Sequence, residues 1–233
     1  MDVKKEKGIT RRDFLKVGGA AAIGVAASAL PKKDAFASVK HLTGRRLAMV
    51  IDLDKCSGCH ACSVSCKAEF NVPLGVWRSW IKIKEKGAYP NTGRFFLPRL
   101  CNHCDNPPCK KVCPSGATTQ REDGIVKIDE GKCVGCKLCI AACPYESRFS
   151  HPEKKIASKC DFCMHRVDKG IVPSCVNTCP AKARVFGDLN DFQSEVSKLL
   201  ARKAVQVLKP ELNTDPYVFY ISVEKLTEGG ERS

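Results

Sequence analysis

Sixteen cysteines fall into four sets of four with none left over, and no other feature restricts the fold of this 233-residue chain so tightly. The first set is Cys56, Cys59, Cys62 and Cys66; the third is Cys133, Cys136, Cys139 and Cys143. Both have the spacing C-x2-C-x2-C-x3-C. The second set stretches one gap, giving Cys101, Cys104, Cys109 and Cys113, and the fourth stretches it further, giving Cys160, Cys163, Cys175 and Cys179. Every set opens on C-x2-C and closes on C-x3-C, and three also end on Cys-Pro, at Pro114, Pro144 and Pro180.

Thiols at i, i+2 or i+3 in a loop can wrap one compact cluster, and the small Gly58 and Gly135 let the backbone come close. The closing pair differs. Cysteines at i and i+4 lie on one face of a helix, about 6 Å apart along its axis, so the first completes one cluster while the second faces another. Proline then ends the arrangement. Four structural zinc sites would also use sixteen cysteines, but a third cysteine at x2 and a fourth at x3 before proline, repeated along the chain, points to 4Fe-4S clusters. Disulfides fit poorly, because such crowding forces strained pairings. The histidines within the motifs, His60, His103 and His165, read as neighbours of clusters or as surface groups, since the cysteines already supply four ligands each.

Between Cys113 and Cys133 lie a turn at Glu122-Asp123-Gly124 and the alternating strand IVKID, the order of a two-cluster ferredoxin. The second and third sets thus form one module, and the first and fourth form an outer module around it. The expected fold class is α+β: two ferredoxin-like two-cluster modules, a pseudo-repeat with one inserted in the other, built of short strands and helices with loop-rich segments. Residues 38–95 and 145–187 make the outer module, 96–144 the inserted inner one, and 188–233 a C-terminal helix and tail. Strands are expected in RRLAMVIDLDKC, SWIKIKEKG and PAKARVFGDL. An amphipathic helix is expected over Asn190 to Lys203, capped by Asn190, with Phe192, Val196, Leu199 and Leu200 inward. The tail from Val207 is irregular with a short strand, free to pack back or to dock a partner.

Residues 1–37 read as a removable export signal: Arg11-Arg12 within TRRDFLK, an apolar run from Val17 to Leu30, and the small-x-small site Ala35-Phe36-Ala37. The apolar run is short against the roughly 20 residues of a membrane anchor. TRRDFLK resembles a twin-arginine signal, which implies export of a protein already folded and loaded in the cytoplasm, so thiols need not meet an oxidant empty. Without the signal, 196 residues remain, enough for one or two domains, and none of their apolar stretches could span a membrane. Formal charge falls from +14 to +10. The remaining basic residues are scattered in pairs such as Lys110-Lys111, with no basic helix and no aromatic stacking pattern, which argues against nucleic acid. They offset anionic cluster-bound thiolates instead, and Lys67, Lys110 and Lys137 are candidates for raising a cluster's potential.

In these motifs the chain resembles the four-cluster iron–sulfur (beta) subunits of molybdopterin oxidoreductases, over nearly all of its length. LPRLCNHCDNPPC, CVGCKLCIAACPYESRF and VLKPELNTDPYVFY look most like the beta subunits of tetrathionate reductases, while those of polysulfide, thiosulfate, arsenate and nitrite reductases share much of the pattern. The resemblance implies an electron conduit at the extracytoplasmic face, between an integral-membrane quinol-oxidising subunit and a molybdopterin catalytic subunit, with no catalytic site of its own. A free-standing periplasmic ferredoxin is the alternative. Carried over by motif position, the resemblance implies four 4Fe-4S clusters held by Cys56, Cys59, Cys62 and Cys179; by Cys66, Cys160, Cys163 and Cys175; by Cys101, Cys104, Cys109 and Cys143; and by Cys113, Cys133, Cys136 and Cys139.

Overall fold

A computed structural model describes residues 44–224; the signal reading of residues 1–37 lies outside them. Strand β1 (Leu47–Asp52) is buried along its whole length. Its first five residues can all be apolar because its two faces serve different cores. Leu47, Met49 and Ile51 enter a large core with Ile81, Leu97, Leu100, Phe162 and Tyr220, whereas Ala48 and Val50 meet Val196 and Ile221. β1 is the middle of a three-stranded sheet. It pairs antiparallel with β8 (Arg184–Asp188) and parallel with β9 (Val218–Ile221). The tail therefore packs back into the core.

Three hairpins separate the cysteine sets. β2 (Trp80–Ala88) and β3 (Asn91–Arg99) form a long ribbon buried only at its root, with Ile81 inside and Ile83 exposed. β4 (Thr118–Gln120) pairs with β5 (Val126–Ile128), and β6 (Arg148–Ser150) with β7 (Ala157–Lys159). Thr118, Arg148 and Arg184, the first residues of β4, β6 and β8, each lie five residues beyond a Cys-Pro cysteine. The three Cys-Pro sets thus lead into strands by the same step.

The closing C-x3-C pairs are helical to different extents. In the first set, Cys62 and Cys66 both lie on α1 (Ala61–Phe70), which runs on because no proline follows. The others are single turns: α2 (Pro108–Lys111), α3 (Leu138–Ala141) and α5 (Ser174–Asn177), with α4 (Met164–Val167) between the last two. Cys113, Cys143 and Cys179 lie past their helices, and their amides reach back three residues, to the carbonyls of Lys110, Ile140 and Val176 at 3.2–3.3 Å. The cause is the following proline, which disfavours helical backbone in the residue before it. α1 packs against α5, and α2 against α3.

The C-terminal helix, α6, spans Glu195–Arg202 rather than 190–203, and its cap is Ser194, whose Oγ accepts from the Ser197 amide at 3.3 Å. Asp188 and Asp191 divert the preceding backbone, accepting from the amides of Asn190 (3.0 Å) and Gln193 (2.8 Å), so the chain turns twice before the helix starts. Val196 is fully buried, with Leu199 and Leu200 beside it, but Phe192 stays 84% exposed. Among the described residues, no helix is long and apolar enough to cross a membrane.

Candidate metal centres

The third position of each opening C-x2-C has a left-handed backbone: Gly58 (φ 71°), His103 (44°), Gly135 (69°) and Phe162 (53°). This turns each loop so that successive sulfurs face one side. Glycine has a second reason at two of these positions, since a Cβ on Gly58 would meet the Phe96 ring at 2.3 Å, and one on Gly135 the Lys155 carbonyl oxygen at 2.5 Å. Where bulk is allowed it is used. The His103 ring stacks on Phe162, with centroids 3.7 Å apart, joining the second loop to the fourth. His103 Nδ1 accepts from the Val126 amide at 3.1 Å, and burial, with Lys159 and Arg148 near, keeps the ring neutral.

All sixteen cysteines are free thiols, and their neighbours sort them. Cys56, Cys59, Cys62 and Cys179 line one hollow together with Arg184. The Cys56 thiol is raised by burial and by Cys62 and Cys179, against the Gly58 amide and Arg184. Burial, then Cys175, pushes Cys66 up to about 12, and burial also raises Cys160 strongly, with Cys66, Cys175 and Cys163 adding to it. Cys104 is pushed up to about 12 by burial and by Cys101, Cys109 and Cys143. In the opposite sense Cys113 drops to about 7: its slight burial works upwards, but hydrogen bonds from Thr118, Ser115 and Ala117 together outweigh it. Cys133 and Cys139 pack in one apolar cluster with Cys109, Val126 and Ala157, while Cys136 is exposed.

Among the described residues, no three His, Cys, Asp or Glu side chains converge closely enough for a single metal ion. A cubane cluster takes four cysteine thiolates, and the hollow beside Cys56 offers four cysteines as its donors. The donor set also fits a cluster electrostatically, because cysteines around one hollow become thiolates on binding, and a fixed cation already faces them.

The cations that face the thiols are not the lysines the sequence singles out. Lys67 donates to the carbonyls of Pro73 (2.7 Å) and Val76 (2.9 Å) and lies over Trp77; Lys110 and Lys137 are exposed. Arg148 instead donates to Cys109 Sγ at 3.0 Å and to Thr118 Oγ1 at 3.1 Å. Arg184 donates to Ser79 Oγ at 3.0 Å and faces Cys175, Cys62 and Cys160. Lys159 Nζ donates to the carbonyls of Val126 and Cys160. The sequence signal for the two arginines is their common offset, five residues past Cys143 and Cys179.

Residues 92–189 match a family model described as a 4Fe-4S dicluster domain. The chain is 44% identical to the B subunit of tetrathionate reductase from Salmonella typhimurium, over 92% of this chain and 89% of that one. It is 36% identical to the B subunit of selenate reductase from Mesobacillus selenatarsenatis, over 95% and 100%. The arsenate respiratory reductase iron–sulfur subunit of a Shewanella species is 39% identical, over 76% and 96%.

Proposed function

This chain belongs to the iron–sulfur B subunits of molybdopterin oxidoreductases, and from that premise we propose that it relays electrons between a membrane quinol-oxidising subunit and a molybdopterin catalytic subunit of a tetrathionate-reductase-like enzyme. It carries four 4Fe-4S clusters and is an electron-transfer subunit of a reductase complex. The clusters supply one-electron centres whose potentials, in such proteins, span about −700 to +450 mV with charge, hydrogen bonding and exposure. Cysteine thiolates hold them. Buried Arg148, Lys159 and Arg184 offset the thiolate charge, and the β1 core keeps water from one side of the sites. Catalysis itself belongs to the partner. The tetrathionate assignment draws on two relatives of that name, from Salmonella typhimurium and Archaeoglobus fulgidus. Export by the Arg11-Arg12 signal would set the chain on the extracytoplasmic face.

The ligand sets we propose are the nested ones: Cys56, Cys59, Cys62 with Cys179; Cys66 with Cys160, Cys163 and Cys175; Cys101, Cys104, Cys109 with Cys143; and Cys113 with Cys133, Cys136 and Cys139. The inner module then spans 96–144 within an outer one of 38–95 and 145–187. The observation that carries this is the hollow lined by Cys56, Cys59, Cys62 and Cys179, which joins the first set to the last. Serine is nearly isosteric with cysteine but ligates iron poorly, so Cys179→Ser and Cys56→Ser should alter the same electron paramagnetic resonance signal and spare the inner pair. A Cys179→Ser spectrum matching that of Cys136→Ser overturns the nested sets.

A further inference from the structure

Arg148 and Arg184 occupy equivalent places in the third and fourth cysteine sets: each is five residues past the closing cysteine, begins a strand, and is nearly inaccessible, at 4% and 3% exposure. A buried guanidinium without an anion is costly. The groups facing each are mainly sulfurs rather than carboxylates. For Arg148 they are Cys109, whose Sγ accepts its hydrogen bond at 3.0 Å, Cys101 and Cys139; for Arg184, which lines the hollow of Cys62, they are Cys175 and Cys62, then the Tyr220 hydroxyl and Cys160. Arg184 Nη1 is moreover buried without a hydrogen-bond partner, a donor left for an anion.

The sulfurs facing each arginine come from two ligand sets. Cys101 and Cys109 share a proposed set with Cys104 and Cys143, while Cys139 belongs to the other inner set. Likewise Cys160 and Cys175 belong with Cys66, and Cys62 belongs with Cys56. We infer that Arg148 and Arg184 are matched charge-sharing residues, each standing between the two clusters of one module and raising the potential of both. The physical reason is that reduction adds a negative charge to a cluster, and a fixed cation in a medium of low dielectric favours the more negative state. One guanidinium between two clusters shifts both potentials in the same direction, so the step from one cluster to the next is not made steeper by the charge.

The inference rests on the proposed ligand sets, so its test must separate the two. The purified complex is titrated potentiometrically, with each cluster followed by its paramagnetic signal, for Arg184→Gln, Arg184→Lys and the corresponding Arg148 variants. The Cys56→Ser and Cys160→Ser spectra identify the outer pair independently. Arg184→Gln should lower both outer potentials by at least tenfold in the reduced-to-oxidised ratio, 59 mV for one electron, and move the inner pair by less than threefold. Arg148→Gln should do the reverse, and the lysine variants should stay within threefold of the parent. Four clusters at parental potentials in Arg184→Gln, or a shift of only one outer signal, overturn the inference. A shift of two signals other than those that Cys56→Ser and Cys160→Ser identify overturns the ligand sets instead. If the glutamine variant fails to retain its clusters, the lysine variant decides: retention supports a role for charge, and equal loss in both overturns it by showing that the arginine's shape alone is required.

Discussion

Alanine at Gly135 should destabilise the loaded protein more than alanine at Gly58, although the contact at Gly58 is the shorter. Both glycines are left-handed, which costs an alanine about 1–2 kcal/mol. That strain is tolerable, since His103 and Phe162 adopt the same conformation at the equivalent positions. The difference lies in what each Cβ strikes. At Gly58 it meets the Phe96 ring at 2.3 Å, and that ring is only partly buried at the edge of the ribbon, so it can turn away. At Gly135 it meets the Lys155 carbonyl oxygen at 2.5 Å, about 0.9 Å inside the 3.4 Å where ordinary contact begins. Lys155 is itself tied into the β6–β7 turn by its amide, which donates to the His151 carbonyl at 2.9 Å. Overpacking against a part that cannot rotate adds about 1–3 kcal/mol. The totals are therefore about 2–5 kcal/mol for Gly135→Ala against about 1–2 for Gly58→Ala. At about 3 °C per kcal/mol for a chain of this size, these correspond to midpoint drops of about 6–15 °C and 3–6 °C. Loss of visible cluster absorbance, scanned at one fixed rate because such unfolding is irreversible, measures both. In a double-mutant cycle Phe96→Leu should change the Gly58→Ala loss by no more than about 0.5 kcal/mol, because the ring turns away and the remaining cost is in the backbone. A larger drop for Gly58→Ala than for Gly135→Ala, or a coupling with Phe96→Leu above that, refutes the reasoning.

Two further outcomes follow from side chains away from the cysteines. Val196→Ala should cost about 1–3 kcal/mol as a buried cavity, while Phe192→Ala should stay within about 0.5 kcal/mol, both read from denaturation midpoints. Glu69 is held at about 2, below its ordinary 4.5, by hydrogen bonds from Ser174 and His165 with Arg166 nearby. A depressed carboxyl stabilises the fold fully above its unfolded value and loses that contribution as the pH falls towards about 2, so Glu69→Gln should flatten the acid limb of a stability–pH profile relative to the parent.

The cysteine sets were legible because cluster ligation admits few spacings. β1, β5 and β8 were legible because apolar runs or alternation over a few residues sufficed. Position along the chain was less informative where local hydrogen bonds compete. Asn190 looks like a cap, yet Asp188 captures its amide, and Ser194, four residues on, takes the role. The parallel pairing of β9 with β1 joins Met49 to Val218, a long-range contact that no local pattern encodes. Arg148 and Arg184 carry no such signal, because an isolated arginine in a sequence normally reads as surface. Their burial follows from where the ladder places them, and only the repeated offset from the closing cysteine is written in the sequence.

That offset also supplies a backbone reason for the nested sets. In the antiparallel ladder of β1 and β8, Ile51 lies opposite Arg184. Cys56 is five residues beyond the one and Cys179 five residues before the other, so these two cysteines leave the ladder at matched distances, through turns at 53–55 and 180–181. In the smaller ladder of β4 and β5, Thr118 lies opposite Ile128. Cys113 is five residues before Thr118 and Cys133 five after Ile128, so they too leave their ladder at matched distances. In the nested sets we propose, each ladder would act as a clamp between the last cysteine of one set and the first cysteine of another. A sheet register is fixed by which side chains are buried, and a slip of one residue would turn every buried side chain of β1 to the wrong core. On the proposed sets, the apolar faces of β1 and β8 would thus fix which thiols can meet, although they contain no ligand themselves.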